Sequence, residues 1–232
     1  MTGTAMLEQA LAAHGLVLRG GFAPEAADGL PPLPDGGAAR WLAMAGVAGS
    51  SIWEHFQASS AFADGRPDPL DRWSREIGET IAVRFGGVAL FPFGGPPYHP
   101  FQRWAERAER LTRSPLGLQL HPRYGLWHSY RFALALPQPL EGHDDPLDPV
   151  DLCLRCADQP CLRACPVDAF TGREYRVDAC AAHLESQPEA ACRGSGCLAR
   201  HACPVGQAYA QHPAHARFLM NAFVRAVQRR RA

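Results

Sequence analysis

Lysine is absent from this 232-residue sequence, and all 23 basic residues are arginine. Arginine stays protonated and does not become a nucleophile, so Schiff-base chemistry and a P-loop lysine are excluded. A coding bias of a GC-rich genome accounts equally for the absence. Cysteine is missing from the first 152 residues, and all eight cysteines lie between 153 and 203. The front part must therefore be held by an ordinary hydrophobic core, while the back part calls for an inorganic core or disulfides. Net charge is zero, which leaves no broad basic field and makes nucleic acid an unexpected partner. Long apolar runs are also lacking. Nothing approaches the roughly 18 to 20 residues that cross a bilayer, so no membrane partner is expected.

The opening "MTGTAMLEQALAAHG" carries Glu8 and His14 and no basic leader. It reads as an amphipathic helix stopped by Gly15, not as a signal peptide. The expected compartment is the cytoplasm, where cysteine groups are metal sites more often than disulfides. "LVLRGGFA" and "RWLAMAGVAG" read as buried strands separated by a Pro/Gly-rich loop. Ser51 and Glu54 have capping-box spacing and predict a helix start. Asp68 followed by Pro69 predicts a second, with Trp73, Ile77, Ile81 and Phe85 on its inner face. "GVALFPF" reads as a strand and "HPFQRWAERAERL" as a helix with Phe101, Trp104, Ala108 and Leu111 inward. "LGLQLH" and "GLWHSYRFALAL" complete the strands. The alternation predicts an α/β or α+β domain, a central sheet covered by helices. "PQPLEGHDDPLDP" reads as a linker and the last 18 residues as a helix. The expected boundaries are 1–145 for the front domain, 146–210 for the cysteine-rich domain and 211–232 for the terminal helix.

Cys153, Cys156, Cys161 and Cys165 form C-x2-C-x4-C-x3-C-P; Cys180, Cys192, Cys197 and Cys203 form a second group that again ends in Cys-Pro. Two runs of four closing in this way are the mark of a bacterial-ferredoxin-like module with two [4Fe-4S] clusters, in which the last cysteine of each run ligates the other run's cluster. Soft thiolates suit iron in several charge states. The crossed assignment gives one cluster to Cys153, Cys156, Cys161 and Cys203, the other to Cys165, Cys180, Cys192 and Cys197. The x4 spacing resembles electron-transfer subunits of molybdopterin oxidoreductases, whereas the second run, with x11, x4 and x5, is irregular. The competing readings are structural zinc, which favours paired C-x2-C knuckles, disulfides, and a single cluster with four spare thiols.

"LHPRYGLWHSYRFALALP", residues 120 to 137, resembles the "HPRFGGWFAIRGVVLLP" segment of the cobalamin-processing enzymes of the cblC type. "SSIWEHFQAS" with "PDPLDRW" is similar to an upstream element of that family. The resemblance implies a nitroreductase-like (flavin-reductase-like) sheet for roughly residues 15 to 137, with cobalamin as cofactor ahead of FMN. A two-cluster tail on such a domain is similar to epoxyqueuosine reductase and the reductive dehalogenases, whose second motif "GCLARHACPVG" resembles without its middle cysteine; no segment matches the catalytic acid of epoxyqueuosine reductase.

By resemblance Arg131 takes the place of an arginine that contacts a thiol cosubstrate. Its guanidinium suits a carboxylate or phosphate, and the plainer reading is a strand arginine paired on the surface. His121 belongs either to the cofactor pocket or to a hydrogen-bonded turn. Trp127, Tyr124 and Tyr130 suit a flat corrin or flavin pocket, or core. Three functional classes follow, the weakest of them a flavin-dependent reductase. One is a reductase in which the clusters pass electrons from a cytoplasmic donor, such as a ferredoxin, flavodoxin or reductase, to a cobalamin in the front domain. Another is a ferredoxin-like electron-transfer protein with no substrate of its own.

Overall fold

The computed structural model describes residues 2–141 and 152–231. Contacts divide the chain into one unit of Met1–Arg110 with Ser129–Leu147, and another of Leu111–His128 with Asp148–Ala232. The units do not follow the expected boundaries. Residues 111–128 go with the cysteines because their leucines pack there, and the terminal helix belongs to the same unit. Part of the expected linker, 142–149, lies outside the described residues.

The first unit is a mixed α/β structure built on a four-stranded sheet of order β1-β2-β6-β3. Its strands are β1 (Val17–Phe22), β2 (Trp41–Ala48), β3 (Val88–Leu90) and β6 (His128–Leu136). β1 and β2 run antiparallel, as do β3 and β6, where Ala89 faces Leu134. Leu42 through Val47 are buried without a break. A strand covered on both faces shows this continuous run where a half-exposed one would alternate.

Helix α1 (Gly3–Ala12) starts where Thr2 Oγ1 accepts the Ala5 N–H at 3.3 Å, and Gly15 ends the turn beyond it at φ +69°, a conformation that favours glycine. The expected capping box does not form. Helix α2 (Trp53–Gln57) is capped at Ile52, and Ser51 Oγ instead accepts the Ala48 N–H at 3.3 Å, closing the turn out of β2. After the short α3 (Ser60–Ala63), α4 (Pro69–Arg84) begins at Pro69 and buries Trp73, Ile77 and Ile81; Asp68 stands at the N-cap but its side chain makes no capping bond. Helix α5 (Phe101–Ala108) buries Phe101 and Trp104 and stops before Leu111. The reason is Glu109, whose extended backbone carries its carboxylate to Arg19, with bonds of 2.8 Å and 2.7 Å.

The second unit has little sheet. β4 (Thr112–Arg113) pairs with β5 (Gln119–Leu120), so the strand expected over 116–121 shrinks to two residues. Short helices α6 (Pro160–Arg163), α7 (Val177–Ser186), α8 (Ala191–Ser195) and α9 (Leu198–His201) connect the cysteines, and α10 (Pro213–Arg231) closes the chain. Two apolar clusters organise it. Leu116, Leu120 and Leu126 pack with Cys161, Ala199 and Cys203, while Leu184 and Val224 pack with Cys192. No helix among the described residues is long and apolar enough to cross a membrane.

Candidate functional site

No disulfide joins any of the eight cysteines. Their neighbours sort them into two sets. Cys153, Cys156, Cys161 and Cys203 line one small cavity of about 40 Å³, with Leu120 and Leu126 in its apolar wall. Burial pushes the Cys161 thiol above its usual value, and neighbouring Cys203 and Cys156 raise it further. Burial likewise raises Cys203, with Cys156 adding to it against the Val205 N–H. In the other set, burial raises Cys180, where Cys165 and Cys192 add to the effect and a hydrogen bond from Tyr175 opposes it. Cys197 is raised by burial and by Cys192, while the N–H groups of Arg200 and Ala199 and the Arg200 charge pull it down.

The sets are crossed relative to the sequence runs. Cys203, last of the second run, joins the first three cysteines, and Cys165, last of the first run, joins the other three. A chain in which each set is bridged by a common group is thereby tied at both ends of the region. Among the described residues no three His, Cys, Asp or Glu side chains converge closely enough to hold one metal ion. Four soft thiolates in each set are the donors that an iron-sulfur cluster takes.

Local structure holds the sulfurs. Cys197 stands at the N-cap of α9, where its side chain makes no capping bond, and the N–H groups of Arg200 and Ala199 pull its thiol down against burial. Cys165 Sγ accepts the Ala169 N–H at 3.3 Å. The Gln207 side chain donates to the carbonyl oxygens of Cys203 and His201. Tyr175 stacks on Phe170 with centroids 4.6 Å apart and covers the second set from the surface.

The segment "HPRYGLW" lies in the same unit. His121 and Gly125 exchange backbone bonds of 3.0 Å and 2.8 Å around a tight turn. His121 Nδ1 accepts the N–H groups of Arg123 and Tyr124 at 3.0 Å and 3.1 Å, and its ring stacks on Tyr124 at 4.4 Å. Tyr124 meets Tyr209 edge-on at 4.9 Å, and Arg123 Nε donates to Tyr209 Oη at 2.8 Å. Trp127 is 1% exposed, with the Arg200 guanidinium over its face and His201 at its edge.

Arg131 belongs to the other unit. It donates to Asp71 at 2.6 Å and from Nε to Ser74 Oγ at 2.9 Å, and burial lowers its pKa against the pull of Asp71. Tyr130 donates to Glu109 at 2.5 Å. The structure thus brings His121, Tyr124 and Trp127 together beside the cysteines and places Arg131 and Tyr130 in the sheet unit. Arg200 and Tyr175 escaped the sequence reading. Their signal was position: Arg200 stands three residues from both Cys197 and Cys203, and Tyr175 precedes Cys180 in a run otherwise rich in polar residues.

No protein-family model matches the sequence, and no curated protein matches it. The chain is similar to a crystal structure of epoxyqueuosine reductase with a tRNA-Tyr epoxyqueuosine-modified tRNA stem loop, at 17% identity and a TM-score of 0.43, over 75% of this chain and 50% of that chain. It spans about half the length of that protein.

Proposed function

We propose that the chain is a redox protein that holds two [4Fe-4S] clusters and passes single electrons through them. The observation that carries this reading is the crossed grouping of Cys203 with Cys153, Cys156 and Cys161, and of Cys165 with Cys180, Cys192 and Cys197. Eight thiols in two sets of four are what two such clusters require. When bound, each cluster supplies a one-electron carrier.

The residues around the sulfurs do the rest. Leu116, Leu120 and Leu126 keep water from the first set, and Leu184 and Val224 from the second. A drier, less polar surround disfavours added negative charge, while N–H groups aimed at sulfur favour it. The N–H donors at Cys197 and Cys165 act in that second sense.

The resemblance assigned Arg131, Trp127, His121 and Tyr124 to a corrin or flavin pocket in a flavin-reductase-like domain. Their side chains are committed elsewhere: Arg131 to Asp71 and Ser74, His121 to its own turn, Trp127 to Arg200. Arg131, His121 and Trp127 so held do not fit a planar cofactor.

Anaerobic purification followed by iron and acid-labile sulfide analysis tests the proposal. About eight of each per chain are expected, from four irons in each of two clusters, with paramagnetic signals on reduction by dithionite. A colourless protein with one zinc per four cysteines would sink it.

A further inference from the structure

We propose that Arg200 is the counter-cation of the second cysteine group, and that its guanidinium sets the reduction potential of the cluster held there. The inference rests on the cluster reading above and adds a residue that the cysteine motif does not contain.

Arg200 lies in α9, between Cys197 of the second set and Cys203 of the first. Its Nη2 donates to the carbonyl oxygen of Leu126 at 2.6 Å. The guanidinium carbon stands 4.7 Å from the centroid of the Trp127 ring. Its Nε is buried and has no hydrogen-bond partner within the protein. No carboxylate among the described residues pairs with it, and it stands one helical turn after Cys197, the N-cap of α9. Three other arginines of low exposure do have carboxylate partners. Arg19 is paired with Glu109, Arg107 with Asp28 and Arg131 with Asp71.

Arg200 is half-buried as a whole, and a cation drawn partly out of water without an anion is costly. An anion beside Cys197 offsets that cost. A cluster ligated by four thiolates carries net negative charge, and a guanidinium one helical turn from a ligand cysteine, with an N–H left unused, is a cation placed for it. Trp127 and Leu126 act on the guanidinium from the other side: the aromatic face favours the cation, and the carbonyl takes one of its donors. Positioned this way, the charge is fixed. Arginine does not titrate, so the effect holds at every working pH.

The redox step balances simply. A one-electron donor is oxidised, the cluster gains that electron and one unit of negative charge, and no bond forms or breaks and no proton moves. A fixed cation stabilises the reduced form more than the oxidised form. Removing it makes the cluster harder to reduce.

The test is a redox titration of the whole, anaerobically purified protein, followed by paramagnetic resonance. Arg200→Gln is expected to keep its iron and to lower the ratio of reduced to oxidised second cluster about tenfold at a given potential, which is about 59 mV for one electron. The first cluster should move less. Arg200→His replaces a permanent charge by one that titrates, so its potential should fall as pH rises through about 5 to 8, where the wild-type protein stays flat. Full iron with unchanged potential in Arg200→Gln overturns the proposal. So does a pH-independent potential in Arg200→His. Loss of iron from both variants would make Arg200 a structural residue and overturn it equally. A wild-type protein without iron fails the cluster reading instead.

Discussion

The carbonyl oxygen of Val205 fills the space that a side chain on Gly125 would need, and a Cβ there would stand 2.0 Å away from it. The approach is mutual, since a Cβ on Gly206 would lie 2.4 Å from the Tyr124 carbonyl carbon. Backbone lies on backbone, and two glycines make that contact. It joins the "HPRYG" turn to the chain that leaves Cys203, so a segment read as part of the front domain becomes a wall of the cysteine unit.

Gly125 also has φ +60°, where a side chain adds strain of its own. Gly125→Ala should destabilise the second unit by about 2 to 4 kcal/mol, combining that strain with the clash. Denaturant unfolding and the rate of iron loss measure it. Wild-type stability would mean that the two backbones separate freely.

The crossed sets predict which cluster each cysteine serves. Cys203→Ser should remove the same cluster as Cys156→Ser, although Cys203 belongs to the second run. Cys165→Ser should affect the same cluster as Cys192→Ser. About four irons should be lost in each case, from the cubane count, and the surviving paramagnetic signal identifies which set remains. Pairing of Cys203→Ser with Cys192→Ser would show that the runs do not cross.

The elements of the first unit were legible because their signals are local. Apolar runs marked β1 and β2, and Pro69 with its four-residue repeat marked α4. The eight cysteines declared themselves by spacing and their trailing prolines. Ser51 was misread because its hydroxyl is drawn back to Ala48, a contact with the preceding strand that a forward-looking capping pattern does not contain. The "LGLQLH" stretch was misread for a different reason. Leu116 and Leu120 pack on cysteines some 40 to 90 positions later in the sequence, and a periodicity argument sees only near neighbours. Arg131 and Trp127 are close in sequence yet fall in different contact units, which no strand pattern reveals.

Asp28 makes a pH prediction. It is 5% exposed, and burial alone would raise its pKa; the Glu25 N–H, then Arg107 and Trp104, outweigh this and hold it below the usual carboxylate value. A carboxyl with a depressed folded pKa contributes stability above its unfolded pKa and loses it as pH falls through the folded one. Asp28→Asn should cost about 1 to 3 kcal/mol at neutral pH, the range for a charged hydrogen-bonded group. The gap to wild type should stay level above pH about 5 and close below the ordinary value of 3.8. Thermal melts across that range provide the measurement, and a gap that persists at the acid end would remove Asp28 from the account.

Arg19 and Glu109 form a bidentate ion pair with side chains 0% and 7% exposed, and Tyr130 donates to the same carboxylate. Breaking such a pair leaves one charge buried and uncompensated, so Glu109→Ala and Arg19→Ala should each cost about 3 to 5 kcal/mol. Tyr130→Phe removes a single bond and should cost about 1 to 2 kcal/mol. The double replacement Arg19→Met with Glu109→Leu removes both charges and keeps the volume. It should recover most of the loss, because neither desolvated charge then remains. Equilibrium unfolding of the four variants separates charge from packing. A double variant as unstable as the sum of the singles would show that the side chains hold β1 to the end of α5 by shape, with the ion pair incidental.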